Sequence, residues 1–238
     1  MAFPTRSRTN EVFTTAATSY TVTIPTVNSG DLILLFCNVL KGASIAPTGF
    51  TEIASEAEPG FTSVALFGKL SDGTEASAVI TNASSSVGIV IVYIVSGWGG
   101  TIGTDIDSVG SSGGGSSTAS MSVTAGWGAD DNLVLSFTGN GDDSVIFTGF
   151  PSGFTNTFQA QTNTGGNASV ESASSENEVT TAAATISGYT LASFESFVQI
   201  SVIIKPGTSG GATGPNTPIN PSITSLLATS ARLNWEQG

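Results

Sequence analysis

The chain has 238 residues, enough for one large β-sandwich or two small domains. Hydrophobic residues make up 39% and charged ones only 10%, well under the usual share of about a quarter, so the surface must be built largely from Ser, Thr, Asn and Gly. A formal charge of −12, from 18 acidic and 6 basic side chains, argues against nucleic acid and anionic membrane as partners, because so few scattered cations cannot neutralise a row of phosphates.

In chain order, residues 1–30 read as two short strands, around 11–16 and 20–25. In the second, Tyr20, Val22 and Ile24 alternate with Thr21 and Thr23, which gives one dry face. Asn28-Ser29-Gly30 is a turn. Residues 32–40 are too continuously apolar for a half-exposed strand and belong in the middle of a sheet, covered on both faces. Strands are expected next at 51–56, 62–70 and 75–81, the last two separated by Ser71-Asp72-Gly73, which carries the Asp-Gly signature of a tight turn. Residues 87–95 form a second central strand. Gly97-Trp98-Gly99-Gly100 and the Gly/Ser tract 110–117 read as flexible material between halves, with Trp98 capping a sandwich edge. Further strands are expected at 119–124, 132–138, 145–148, 156–161, 168–174, 180–186 and 194–204. No segment has a 3.6-residue period of useful length, so helix content should be very low.

The halves repeat one another. Pro47-Thr48-Gly49-Phe50-Thr51 returns as Pro151-Ser152-Gly153-Phe154-Thr155. Asp31 with Leu32, Ile33, Leu34, Leu35 and Phe36 is echoed by Asp131 with Leu133, Val134, Leu135 and Phe137. In the shared motif Pro fixes φ, Gly permits a tight bend, and Phe begins the next strand by entering the core. The expected fold is therefore all-β: one antiparallel, jelly-roll-like sandwich over residues 1–206, made of halves at about 1–100 and 112–206. Two tandem sandwiches are the alternative arrangement.

Cys37 is the single cysteine, so no disulfide can close within the chain, and it is read as a small apolar core residue. The start Met-Ala-Phe-Pro-Thr-Arg lacks the apolar stretch of a signal peptide, which points to synthesis in the cytoplasm.

After Lys205-Pro206, residues 207–220 form a Gly/Pro/Thr/Asn linker. The segment 221–238, with Ile223, Leu226, Leu233 and Trp235, resembles the first two strands of a fibronectin type III domain. With only two strands, Trp235 lacks a core of its own. The segment is read as an incomplete domain or as strands lent to a partner.

The succession of Ser29-Gly30-Asp31-Leu32-Ile33-Leu34-Leu35-Phe36, Pro47-Thr48-Gly49-Phe50-Thr51, the turn at Asp72-Gly73 and Tyr93-Ile94-Val95-Ser96-Gly97 resembles a jelly-roll or concanavalin-like module of tailed-phage virion proteins. The resemblance implies a non-enzymatic structural protein of a bacteriophage particle, a capsid-decoration or tail-appendage component. It implies contacts with other virion proteins and location in the virion. A chain this poor in Lys is also suited to having its sheet edges covered by neighbours, so a homo-oligomer is expected. The alternative function is a carbohydrate-binding or host-adhesion module at the tail, with a host glycan as partner.

No chemistry-bearing motif supports an enzyme. The chain has no histidine, which removes Ser-His-Asp and Cys-His arrangements and His-based zinc sites. The Gly-rich tract lacks the lysine and the strand-to-helix setting of a phosphate loop. Glu52, Glu56, Glu171, Glu176 and Glu178 are the acids a glycoside hydrolase would need, but their positions near strand ends read as solvated surface. No cofactor is expected. The weak calcium candidates are Asp105 with Asp107 and Asp142 with Asp143, hard oxygen donors in loops without the EF-hand register. Phe147, Phe150 and Phe154 crowd the second copy of the motif and form a candidate contact loop.

Overall fold

The computed structural model describes residues 2–40, 42–141, 145–163 and 169–207. The linker beyond Gly207, the fibronectin-like segment 221–238, and Asp142 and Asp143 lie outside the described residues. Every regular element among those described is a strand.

The first half contributes β1 (Thr5–Thr23), β2 (Leu32–Val39), β3 (Ser44–Ile45), β4 (Thr51–Glu58), β5 (Thr62–Leu70) and β6 (Ser77–Ser96). The second contributes β7 (Ile106–Ser117), β8 (Met121–Thr124), β9 (Asn132–Asn140), β10 (Phe147–Gly149), β11 (Thr155–Gln161), β12 (Glu171–Val179), β13 (Ala183–Ile186) and β14 (Thr190–Ile204). One sheet runs β1-β6-β2-β5-β4 with β3 also on β6; the other runs β7-β14-β9-β12-β11 with β10 also on β14. The pairing is antiparallel throughout and follows the same order in both halves. The registers correspond as well: Leu32 lies between Leu70 and Val95, and Leu133 lies between Glu178 and Ile204.

The two sheets face each other across one apolar layer. Leu32, Leu34, Phe36, Ile89, Ile91 and Val95 of the first meet Leu133, Leu135, Phe137, Val198, Ile200 and Val202 of the second. At the centre, Phe36 and Phe137, which hold the same register position in their sheets, stack with ring centroids 4.6 Å apart. Tyr93 meets the edge of Phe137 at 5.6 Å.

The outer faces are also covered, so β2 and β9 are buried along their whole length, as the apolar run Leu32 to Cys37 requires of β2. In the first half, the far ends of β1 and β6 lie over the sheet, where Val22, Ile24, Ala78 and Ile80 pack on Ile33, Leu35, Phe67 and Val92. In the second half, the β8–β13 pair takes this place, with Val123 and Ile186 against Val134 and Ile203. The Pro-x-Gly-Phe turns form alike. Gly49 (φ +80°) and Gly153 (φ +81°) occupy the left-handed region that favours glycine, and Phe50 and Phe154 donate back to the carbonyls of Pro47 and Pro151 at 2.9 and 3.2 Å.

Three sequence expectations need correction. The strands expected at 11–16 and 20–25 are one continuous β1, and those at 75–81 and 87–95 are one β6. Register shifts between Phe13, Ala17 and Ser19 take up the bend that a break was expected to provide. The Gly/Ser tract 110–117 is not a flexible connection but most of β7, paired in order with β14 from Ile106↔Ile204 to Gly115↔Glu195. Side-chain propensity is poor there, yet the neighbouring backbone supplies the ladder. Small residues also admit the opposite sheet, since a Cβ on Gly110 would come within 2.2 Å of the Glu56 carboxylate.

Replacing Phe36 by Ala should destabilise the fold by about 3–5 kcal/mol, as for other buried aromatic truncations, because the facing Phe137 cannot fill the space alone. Denaturant unfolding followed by circular dichroism measures this; a loss under about 1 kcal/mol would mean the sheets are not held through this stack.

Candidate functional site

The calcium candidates within the described residues are occupied by the protein's own donors. Asp105 is buried, accepts the Thr101 amide at 3.1 Å and faces the Lys205 ammonium at 3.3 Å. Asp107 accepts the Gly126 amide at 2.6 Å. Among the described residues no three His, Cys, Asp or Glu side chains come together as a metal-ligand set.

The candidate contact loop turns inward. Phe147 and Phe154 are buried, and Phe147 and Phe150 each set an edge against Tyr189 with centroids 5.8 Å apart. Phe147 and Phe154 thus pack inward, unlike the exposed loop expected of them, while Phe150 is half-buried. Trp98 is buried at the sandwich edge, donates to the Gly30 carbonyl at 3.0 Å, and bridges to Pro206. Cys37 is fully buried and burial pushes its thiol well above the ordinary range, so it is a poor nucleophile.

The largest departure from the sequence reading concerns the acids. Glu171 and Glu176 are buried, not solvated. Glu171 accepts from the Phe147 amide at 3.3 Å and from the Asn140 side chain at 3.4 Å. Glu176, on β12, receives Arg6 Nε at 2.7 Å and lies 3.7 Å from Arg8, both from β1 of the other sheet. Arg6 also pairs with Glu178. Burial would lower the Arg6 pKa, but the two carboxylates outweigh it and hold it above its ordinary value. Arg8 continues the bridge by donating to the Tyr93 hydroxyl at 3.1 Å and the Asn156 carbonyl at 2.5 Å, and it lies over the Phe158 ring. The Tyr93 hydroxyl reaches Ser174 at 3.2 Å. Toward the other end of the strands, Asn38 donates across the interface to the Glu171 carbonyl at 2.8 Å and to Ser172 at 3.0 Å. It fits because its register counterpart is Gly139, where a Cβ would stand 2.4 Å from the Asn38 amide. Sequence patterning could not find this clamp, since its partners lie 81 to 172 positions apart along the chain.

A second polar region fills the second half's outer layer. Where the first sheet carries the rows Phe67, Leu35, Val92 and Ala65, Cys37, Val90, the second carries Ser175, Ser136, Ser201 and Ala173, Thr138, Gln199, all buried. Tyr189 drops into this space and donates its proton to the Ser136 carbonyl at 2.8 Å, while its oxygen lies 2.8 Å from the Ser175 hydroxyl. Among the described residues Gln199 Oε1 meets no hydrogen-bond partner. The layer is closed to solvent and holds no activated nucleophile.

A surface depression of about 380 Å³ lies at a loop end between Leu40, Ala43, Ala57, Pro59, Phe61 and Thr62. Phe61 is half-exposed on its rim. The arrangement can shelter an apolar or flat ligand face, and the one acid among its described lining residues is Glu58.

Compared with known proteins, the chain matches no family model, and neither curated proteins nor solved structures give a match.

The clamp should answer unequally to its partners' removal. Changing Arg6 and Arg8 together to Ala strands the Glu176 carboxylate, which is 4% exposed, and should destabilise the fold by roughly 3 kcal/mol, more than Glu176→Gln, which leaves Arg6 paired with Glu178 and Arg8 the more exposed of the two cations at 19%. Chemical denaturation of the variants measures the order, and the reverse order contradicts the clamp. Burial, then the nearby Glu176 charge, pushes Tyr93 up to about 12 against hydrogen bonds from Ser174 and Arg8 that lower it; burial likewise pushes Tyr20 to about 12 and Tyr189 higher still. Raised above the ordinary value near 10, these phenols contribute stability that is complete below about pH 10 and is lost as pH climbs toward 12. A spectrophotometric titration should show no tyrosinate at pH 10 and its appearance together with unfolding. Burial also opposes ionisation of Glu75, but the Lys69 ammonium at 2.8 Å and donors from Ser71 and Asp72 hold its carboxyl well below the usual range. Its contribution is present above about pH 4.3 and lost below it, so Glu75→Gln should flatten the acid limb of a stability–pH curve.

Proposed function

We propose that the protein is a non-enzymatic structural component of a bacteriophage particle, a capsid-decoration or tail-appendage protein that works through subunit interfaces. The observation that carries the non-enzymatic part is the clamp and its surroundings. The buried acids that a hydrolase would need are engaged inside the sandwich, Glu176 by two arginines and Glu171 by a backbone amide and Asn140. Two sheets locked by an apolar layer and by ion pairs at an edge make a stiff body, which suits a part that must hold a shape. The particle assignment leans on the resemblance of the strand succession to tailed-phage virion modules. Association with other virion proteins and with further copies of itself follows from that reading, as does location in the virion after synthesis in the host cytoplasm.

A host-adhesion module is the second reading, favoured by one observation: Phe61 stands half-exposed beside the loop-end depression, where a sugar ring could stack on it. Particles purified from the host that encodes the chain decide between the two by quantitative mass spectrometry. High, capsid-proportional copy number is expected; a few copies together with glycan-array signal that Phe61→Ala removes would favour adhesion. Absence from particles would overturn both.

A further inference from the structure

An antiparallel sheet that does not close leaves two edges, and each exposes a row of backbone donors and acceptors that proteins ordinarily guard with charge, bulges or short length. Here the four edge strands are β1, β4, β7 and β11, and three of them are guarded. β1 carries Arg6, Arg8 and Glu11, the two arginines drawn across to the opposite sheet, and has register shifts beyond Phe13. β4 carries Glu52, Glu56 and Glu58 and a shift between Glu52 and Ala54. β11 is seven residues long, with a shift after Thr155 and Asn156 at a positive φ of 46°.

β7 is the least guarded of the four, its one register shift confined to its last residues, between Gly115 and Ser117. It is twelve residues long, pairs among the described strands with β14 alone, and runs without a shift from Ile106 to Gly115. It contains no Pro, Lys, Arg or Glu, and its one charge, Asp107, lies near the N-terminal end with its carboxylate on the Gly126 amide. A separate feature marks the same place. Phe194, at 74% the most exposed large apolar side chain described, lies on this edge, its ring within 3.1 Å of where a Gly114 Cβ would stand.

We propose that β7 is the association edge of the protein and that its partner is the β7 of a second copy, paired antiparallel about a two-fold near Ser112. This rests on the oligomeric reading above and names the surface responsible. Charge selects a like partner. Self-pairing of β4 would set a row of carboxylates against itself, whereas β7 paired about Ser112 places Asp107 opposite Ser117 and Val109 opposite Gly115, with no like charges facing. It also carries the exposed Phe194 ring toward the second copy's Gly110, beside the Glu56 carboxylate that packs on that glycine. The two β7-containing sheets become one continuous sheet, and both unpaired rows are satisfied.

Sedimentation of the full chain over a range of concentrations should show a reversible dimer. Ser112→Lys, at an exposed position, sets two ammonium groups face to face and should leave a monomer at every concentration where the native protein is dimeric, with an unchanged circular dichroism melt; Glu52→Lys on β4 should stay dimeric. Directly opposed strand residues stand about 4.5–5.5 Å apart at Cα, within disulfide reach, so Ser112→Cys should cross-link on oxidation. Ser108→Cys, roughly 27 Å from its counterpart in this register, should not. Cys37 is buried and does not compete. A native protein that stays monomeric, a dimer that survives Ser112→Lys, or a failure of Ser112→Cys to cross-link overturns the proposal. A β7 dimer that never enters particles overturns the particle reading and leaves this one standing.

Discussion

The structure depends on one constraint: the central strands β2 and β6 are apolar on both faces, and these two with β9 and β14 are covered on both. A two-layer sandwich with one wet side per sheet cannot satisfy sequences such as Leu32-Ile33-Leu34-Leu35-Phe36. The chain solves this by making the sheets face each other with one side and folding its own strand ends over the other. Burial of alternate positions then assigns roles. Leu34, Phe36 and Tyr93 join the halves, while Ile33, Leu35 and Val92 hold the first half's outer cover.

The halves share strand order and register yet have diverged in what fills them. The first half's outer layer is dry and close-packed. The second replaces Leu35, Phe67 and Val92 by serines and refills the volume with Tyr189, whose hydroxyl satisfies the new polar groups. The joint between halves is uneven too. One side is pinned by Arg6, Arg8 and Glu176, the other packs Glu56 on the bare backbone of Gly110. A charged pin fixes how the sheets sit, because a sliding displacement would strand a buried carboxylate. The glycine side demands only that nothing protrude, and this leaves β7 narrow.

Much of the fold was legible. Period-two alternation marked Tyr20, Val22 and Ile24, unbroken apolar runs marked the central strands, and the paired Pro-x-Gly-Phe motifs marked two equivalent turns that the structure builds alike. The candidate sites were hardly legible. Phe147, Phe150 and Phe154 looked like a surface cluster because they crowd a loop motif, and only packing against Tyr189 turns them inward. Glu171 and Glu176 looked solvated because a carboxylate in a strand is usually so. Nothing local announces an arginine pair arriving from the far end of the chain.

By itself, then, the sequence determined an all-β chain with a doubly covered core, because strand formation and side-chain alternation are local and hydrophobic burial follows pattern. Tertiary structure alone decided that a Gly/Ser tract becomes a strand, that buried acids serve as joints, and which edge stays open. Those outcomes arise from backbone pairing and charge contacts between segments a hundred residues apart, energies that no stretch of sequence carries within itself.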